Sequence, residues 1–137
     1  MAILSLLLTG AAPILPSSLE IDVEGLRSTH GLIQLCLVRD PHFFPDCKRD
    51  PAAHRLTIPV TALPIHIADL PPGDYAVALI HDENGNGKLD TMLGIPREGI
   101  GFSRNPRLAF GPPSFESARF TLSGGPATQS IRMKYFL

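Results

Sequence analysis

The proline content of this chain restricts its fold more than any other sequence feature. Fourteen of the 137 residues are proline, which is about twice the usual share. Proline lacks a backbone donor and breaks helix interiors, so it disfavours long helices and favours short strands joined by turns. No window of a dozen residues has a convincing helical period. The sequence therefore predicts a β-rich chain, and 44% apolar residues are enough to fill one core.

Seven segments have the pattern of strands. Residues 19–23 alternate strictly between apolar and polar side chains, as a half-buried strand does. Turn signals separate the segments at a spacing of roughly ten residues, which is typical of an all-β sandwich. The predicted strands are residues 19–23, 32–38, 54–60, 64–70, 75–81, 117–122 and 130–136.

A turn with a stereochemical cause precedes the strongest of these strands. Pro72 sets the φ angle of one central position, and Gly73 supplies the positive φ of a type II turn. Tyr75 follows two residues later and has two interpretations. Its hydroxyl bonds back to the chain, as in the tyrosine corner of immunoglobulin-like folds, or it is simply an aromatic residue at a strand start.

The N-terminus has the composition of a secretory signal peptide. The first eighteen residues contain no charge, and the apolar run 3–8 precedes the small residues 10–12. The run is too short to span a membrane. The alternative is an N-terminal strand that packs on the sandwich. We expect a signal peptide over residues 1–18, one domain over residues 19–137, and a secreted or periplasmic protein without a transmembrane segment in its mature chain.

Two cysteines, Cys36 and Cys47, fit an oxidising compartment, where an even number commonly pairs. We expect a disulfide between them. In the alternative, Cys36 is a small buried apolar residue and Cys47 a free surface thiol. Neither has a second cysteine or a histidine at metal-ligand spacing.

The charge balance bears on the choice of partner. Twelve Lys and Arg residues against 13 Asp and Glu residues give a net charge of −1. Without a basic excess, nucleic acid is disfavoured as a partner, and so is a polybasic membrane anchor. The remaining candidates are an unidentified protein or an envelope component.

Catalytic motifs are incomplete in this sequence. The segment around Ser103 lacks the second glycine of a nucleophile elbow. The five histidines are scattered without ligand spacing, and no pair of carboxylates can be placed on one face. We therefore expect a protein that is not an enzyme.

Residues 82–90 resemble a calcium-binding loop. Oxygen-bearing side chains occupy positions 1, 3, 5 and 9, and Gly87 occupies position 6, as in an EF-hand. Leu93 stands where the bidentate Glu would be. In the alternative, the loop uses its Asn-Gly pairs for positive φ, and its carboxylates bind backbone N–H groups. The candidate calcium ligands are Asp82, Asn84, Asn86, Asp90 and the carbonyl of Lys88.

Four segments together resemble an uncharacterised bacterial family, domain of unknown function 2141. The resemblance implies a small exported β-sandwich without an established activity, and it supplies no catalytic residues. We accordingly expect a single immunoglobulin-like or transthyretin-like β-sandwich of about seven strands with one long Gly- and Pro-rich loop. The segments are LPPGDYAV (70–77), HDENGNGKLD (81–90), GIPREGIGFS (94–103) and GPPSFESA (111–118).

Two functions follow from these expectations. The first is an exported, non-enzymatic β-sandwich module of unknown partner, with calcium as a candidate stabiliser. The second is a small-ligand carrier or an enzyme that uses the loop of residues 82–113 as its site. A flat loop packed by Phe102, Phe110 and Phe115 favours the module. A concave pocket favours the carrier or enzyme if it is lined by Asp82, Arg97, Glu98 and Ser103.

Overall fold

Two β-sheets stacked on one apolar core make up most of the described chain. The computed structural model describes residues 14–87, 91–92, 95–109 and 111–137. The strands are β1 (Ser17–Glu24), β2 (Leu32–Val38), β3 (His54–Pro59), β4 (Ile65–Leu70), β5 (Gly73–Asp82), β6 (Thr91–Met92), β7 (Ile95–Pro96), β8 (Gly99–Phe102), β9 (Phe120–Leu122) and β10 (Gly125–Arg132). The helical elements are one α-helix, α1 (Phe115–Ala118), and two 3-10 turns, Pro41–Phe43 and Val60–Ala62.

The smaller sheet has the order β10-β1-β4. Strand β1 runs parallel to β10 and antiparallel to β4. Its alternation of apolar and polar residues turns Leu19 and Ile21 inward, where both are buried. The predicted half-buried strand is therefore confirmed, and it extends beyond its predicted limits at both ends.

The larger sheet has the order β3-β2-β5-β8, and β9 pairs with the first residues of β5. Its inner face packs on the smaller sheet through alternate residues of β2 and β5. The inward side chains are Ile33, Leu35, Leu37, Tyr75, Val77 and Leu79. This packing confirms the prediction of an all-β, sandwich-like protein.

A second apolar cluster lies on the outer face of the larger sheet. It covers one end of that face, where the segment from Phe44 to Cys47 and the helix α1 pack over the strands. The described part of the chain thus has a partial third layer. Its buried members are Val38, Cys47, Ala76, Ala78, Phe102, Phe115 and Ala118.

Three local predictions need correction. The segment 117–122 does not form one strand, because Ser114 caps the helix α1 and β9 begins only at Phe120. The last long strand covers Gly125–Arg132 rather than residues 130–136, since it pairs with the whole of β1. The region 82–113 contains β8, which pairs with β5, and the short hairpin of β6 and β7.

The turn before β5 differs from its prediction, but the predicted bond of the Tyr75 hydroxyl back to the chain is present. Gly73 has φ 150° and already belongs to β5, so it is not the third residue of a type II turn. The Tyr75 hydroxyl donates to the Pro71 carbonyl at 2.6 Å. This bond ties the start of β5 to the preceding connection.

Strand β1 begins at Ser17. This residue is buried, it pairs with both Gly125 and Leu70, and its hydroxyl accepts a bond from the Gly124 N–H. The segment 1–13, which includes most of the predicted signal peptide, lies outside the described residues. Among the helices of the described chain, none has the length and apolar character needed to cross a membrane.

Candidate functional site

The outer face of the larger sheet forms the floor of a groove with a volume of about 660 Å³. The strand register aligns Arg55, Cys36, Ala78 and Phe102 in one row across four strands. Side chains two residues apart along a strand share a face, so the neighbouring row faces the same way. That second row is Thr57, Gln34, Ile80 and Ile100.

Two irregular segments form the walls of this groove. One wall is formed by residues 45–48, and the other by Leu108, Ala109, Gly111 and Pro112. Phe136, near the C-terminus, also contacts the groove and is about half exposed (47%). The floor and walls are therefore mostly apolar, whereas the rim carries charged side chains.

The disulfide holds one wall against the floor. Cys36 lies in the middle of β2, and Cys47 lies in the wall segment 45–48. The two are bonded, with a Cα–Cα distance of 6.0 Å, which is in the normal range for a disulfide. The predicted pairing is present in the structure, and it determines where the wall segment meets the sheet.

An aromatic cluster lies beside the groove and shares Phe102 with its lining. The Phe44 ring packs edge-on against Phe102 and Phe115, with centroid distances of 6.0 and 6.1 Å. Such edge-to-face contacts are favourable for aromatic pairs. Two of the three phenylalanines expected to pack the long loop therefore meet here, and Phe110 lies outside the described residues.

The rim carries three charged residues that line the groove: Asp46, Lys48 and Arg55. Lys48 and Arg55 form no ion pair with any described residue. The Asp46 carboxylate accepts the backbone N–H of Lys48 at 3.1 Å. All three residues are exposed, so their charges face solvent at the mouth of the groove.

The candidate calcium loop begins at the end of β5, next to this floor. Asp82 is fully buried (0% exposed), and its carboxylate accepts bonds from Gln34 Nε2 (2.9 Å) and from the N–H groups of Asn86 (3.2 Å) and Gly87 (2.8 Å). The Asn84 side-chain oxygen accepts from the same Asn86 N–H at 3.2 Å. Gln34 thereby links the candidate calcium loop to the groove.

The structure brings the side-chain oxygens of two candidate calcium ligands, Asp82 and Asn84, to the same backbone N–H of a third, Asn86. Lys88 and Asp90 lie outside the described residues. No group of three or more His, Cys, Asp or Glu side chains in the described part of the chain is arranged to hold a metal ion. The bonds of Asp82 to backbone N–H groups are those of the alternative interpretation, a turn held by its own side chains.

Ser103 has a structural role. Its hydroxyl donates to the Ala118 carbonyl at 2.5 Å and accepts the Val77 N–H at 2.9 Å. The serine therefore joins β5, the end of β8 and α1. Asp82, Arg97, Glu98 and Ser103 are absent from the described lining of the groove, although other residues of the segment 82–113 line it.

A buried polar network at the end of β5 was missed by the sequence analysis. His81 is fully buried, and its Nε2 atom lies 2.7 Å from the His30 carbonyl oxygen. Because a carbonyl only accepts, Nε2 carries a hydrogen and donates it to His30, while Nδ1 is hydrogen-bonded to the Tyr135 hydroxyl at 2.7 Å. This network anchors the C-terminal segment. Its one local signal was the spacing that puts His81 on the same face of β5 as the inward-facing Val77 and Leu79.

Arg27 extends this network to the surface. Its guanidinium lies 4.6 Å from the Tyr135 ring centroid, and Nε donates to Glu83 Oε1 at 2.7 Å. The bond from Arg27, supported by one from Ser28, holds the pKa of Glu83 below its ordinary value of 4.5, despite the opposing effect of burial. Burial raises the pKa of Tyr135.

Comparison with known families gives a match over most of the chain. Residues 21–130 match the family described as "Uncharacterized protein conserved in bacteria (DUF2141)". The chain belongs to this family. The match covers the second half of β1, all of β2 to β9 and most of β10, and therefore parts of both sheets and most of the groove. No curated protein and no solved structure matches the chain.

Proposed function

We propose that this member of the family is an exported, non-enzymatic binding module that carries a small, largely apolar molecule in the groove. The observation behind the proposal is the groove itself, with about 660 Å³ between an apolar floor and two walls. Small-molecule sites are concave, mostly apolar and about 300–1,000 Å³ in volume. The proposal joins the expected module with the carrier that was its alternative.

The composition of the floor supports binding rather than catalysis. Its apolar side chains come from Ala78, Ile80, Ile100 and Phe102, and its amide comes from Gln34. Such a surface gains free energy when it leaves water, at about 25 cal/mol per Å² of apolar area. An exposed apolar concavity on a small protein commonly marks a ligand or partner site.

Export is part of the proposal and rests on two features. The apolar, uncharged N-terminal sequence has the composition of a signal peptide. The Cys36–Cys47 disulfide suits an oxidising compartment, where such bonds persist. A carrier outside the cytoplasm would meet its ligand in the envelope or the medium.

The test is binding of N-phenyl-1-naphthylamine, an uncharged apolar dye whose fluorescence rises when it leaves water. We expect the dye to bind the folded protein saturably. Ile80→Gln should weaken this binding, because it makes the floor of the groove more polar. Leu56→Gln is the matched control, because it makes the same kind of change at an exposed apolar residue of the same sheet (37%) that does not line the groove. Equal dye binding by both variants and the parent protein would remove the groove as the site.

Calcium binding by residues 82–90 is a second proposal. Its support is the convergence of the Asp82 carboxylate and the Asn84 amide oxygen on one turn. Carboxylate and amide oxygens are the ligands that Ca²⁺ prefers. Because Gln34 joins Asp82 to the floor, a cation in this loop would also stabilise the adjacent end of the groove.

A further inference from the structure

We infer that the ligand of the groove is a single-chain amphipathic anion, with its apolar body on the floor and its acid group at the rim beside Arg55 and Lys48. This inference rests on the proposed function, since it names the class of molecule that the same groove takes. The inference follows from the positions that the disulfide gives to Arg55 and Lys48.

The disulfide brings Arg55 and Lys48 to one place on the rim. Arg55 lies directly opposite Cys36 in the register of β2 and β3. Lys48 directly follows Cys47, the partner of Cys36. The two cationic residues therefore flank the bond from two different elements, and both line the groove.

These two cations are available for a ligand. Arg27, Arg119 and Arg132 each form an ion pair with a carboxylate, whereas no described acid pairs with Arg55 or Lys48. Asp46 is the third charged group on the rim, and its carboxylate accepts the Lys48 backbone N–H. The rim thus carries two positive charges and one negative charge beside an apolar floor.

The chemistry of the rim selects the ligand. The planar guanidinium of arginine matches a carboxylate through two parallel hydrogen bonds, and lysine adds a mobile point charge. Both side chains can lay their apolar stems along the groove while their charged ends stay in water. A molecule with one aliphatic chain and one terminal carboxylate satisfies the floor and the rim together.

The experiment compares three ten-carbon amphiphiles as competitors of the dye: decanoate, decanol and decyltrimethylammonium, each below its micelle concentration. We expect decanoate to compete best and the cation to compete worst. Exposed charge pairs contribute modestly to binding. Arg55→Gln should therefore lower the affinity for decanoate by about fivefold and leave the affinity for decanol unchanged. Lys48→Gln should also lower the affinity for decanoate.

Arg49→Gln is the matched control. It removes the same charge from an exposed residue of the same loop, but Arg49 does not line the groove. We expect its affinities for all three competitors to equal those of the parent protein. Thermal unfolding of each variant, followed by circular dichroism, verifies that the folds are intact.

The outcomes separate the two proposals. If the dye does not bind the parent protein, or no amphiphile displaces it, the proposed function itself fails. If all three displace it equally and Arg55→Gln changes nothing, the groove binds apolar molecules but the inference about the anion is wrong. Tighter binding of the cation, or equal losses in Arg49→Gln and Arg55→Gln, would also overturn that inference.

Discussion

At the scale of single residues, the polar groups at the end of β5 are held by specific partners. His81 uses both ring nitrogens inside the protein, one toward the His30 carbonyl and one toward the Tyr135 hydroxyl. An unsatisfied buried acceptor costs about 1–3 kcal/mol, so each partner stabilises the other. Glu83 belongs to the same network through Arg27.

The lowered pKa of Glu83 predicts an acid-sensitive contribution to stability. A carboxyl group whose pKa is lower in the folded state stabilises the protein above its unfolded pKa, near 4.5, and that contribution is lost as pH falls through the lower folded value. Glu83→Gln should therefore melt below the parent protein at about pH 7, with the difference shrinking toward about pH 3. The test is to measure the melting temperatures of Glu83→Gln and of the parent protein at several pH values between about 3 and 7.

Glu116→Gln is the control variant for Glu83→Gln, because the side chain of Glu116 is 73% exposed in its ion pair with Arg119. Exposed pairs of this kind contribute little. A Glu83→Gln difference that stays constant across the pH range would show that the loss came from packing rather than from charge.

At the scale of elements, the disulfide acts on both stability and the groove. Cys36 and Cys47 are separated by 11 residues, and closing such a loop stabilises the folded state by about 2–3 kcal/mol in the chain-entropy model. We expect Cys36→Ala/Cys47→Ala to lower the free energy of unfolding by this amount and to weaken dye binding, since the wall loses its attachment. Urea unfolding and dye titration measure the two effects.

Thiol labelling of the unreduced, unfolded parent protein is the direct check on that bond. No reactive thiol should be found. Two reactive thiols would show that the bond does not form and would leave the position of the wall to packing alone.

The loop after β5 predicts a weak calcium effect. The ligand set lacks a bidentate Glu, so the Kd should lie at about 10⁻⁴ to 10⁻³ M, as in extracellular modules. At 100 times Kd, binding stabilises the folded state by about 2.7 kcal/mol. We expect a higher melting temperature in CaCl₂ than in chelator, little effect of MgCl₂, and loss of the shift in Asp90→Asn. The same melting temperature in both solutions would mean that the loop is held by Asp82 alone.

At the scale of the whole molecule, β1 determines where a leader can be removed. This strand is the centre of the smaller sheet, with β10 on one side and β4 on the other. A cut after Ser17 would remove its pairing with Gly125 and Leu70. We therefore predict cleavage between residues 11 and 17, and intact-mass analysis of protein from the native host measures it. A full-length product would contradict export and weaken the case for an extracytoplasmic ligand.

Much of the fold could be predicted because its signals are local. Alternation identified β1, and the apolar run Leu32–Val38 identified β2 with its observed limits. The interpretation of residues 117–122 was wrong because β9 is only three residues long and Ser114 caps a helix just before it. The limits of β10 were missed because they depend on pairing with β1, at the other end of the chain.

The sequence by itself determined that this chain is all-β, belongs to its bacterial family and carries a cysteine pair suited to a disulfide, because these properties depend on composition, local periodicity and contiguous motifs. Only the tertiary structure decided the groove and its charged rim. Arg55, Cys36, Ala78 and Phe102 lie far apart in sequence and share a row only through the register of four strands. The disulfide then adds Lys48 from a loop. Because backbone pairing and a covalent bond between distant segments place these residues, no local pattern in the sequence contains the site.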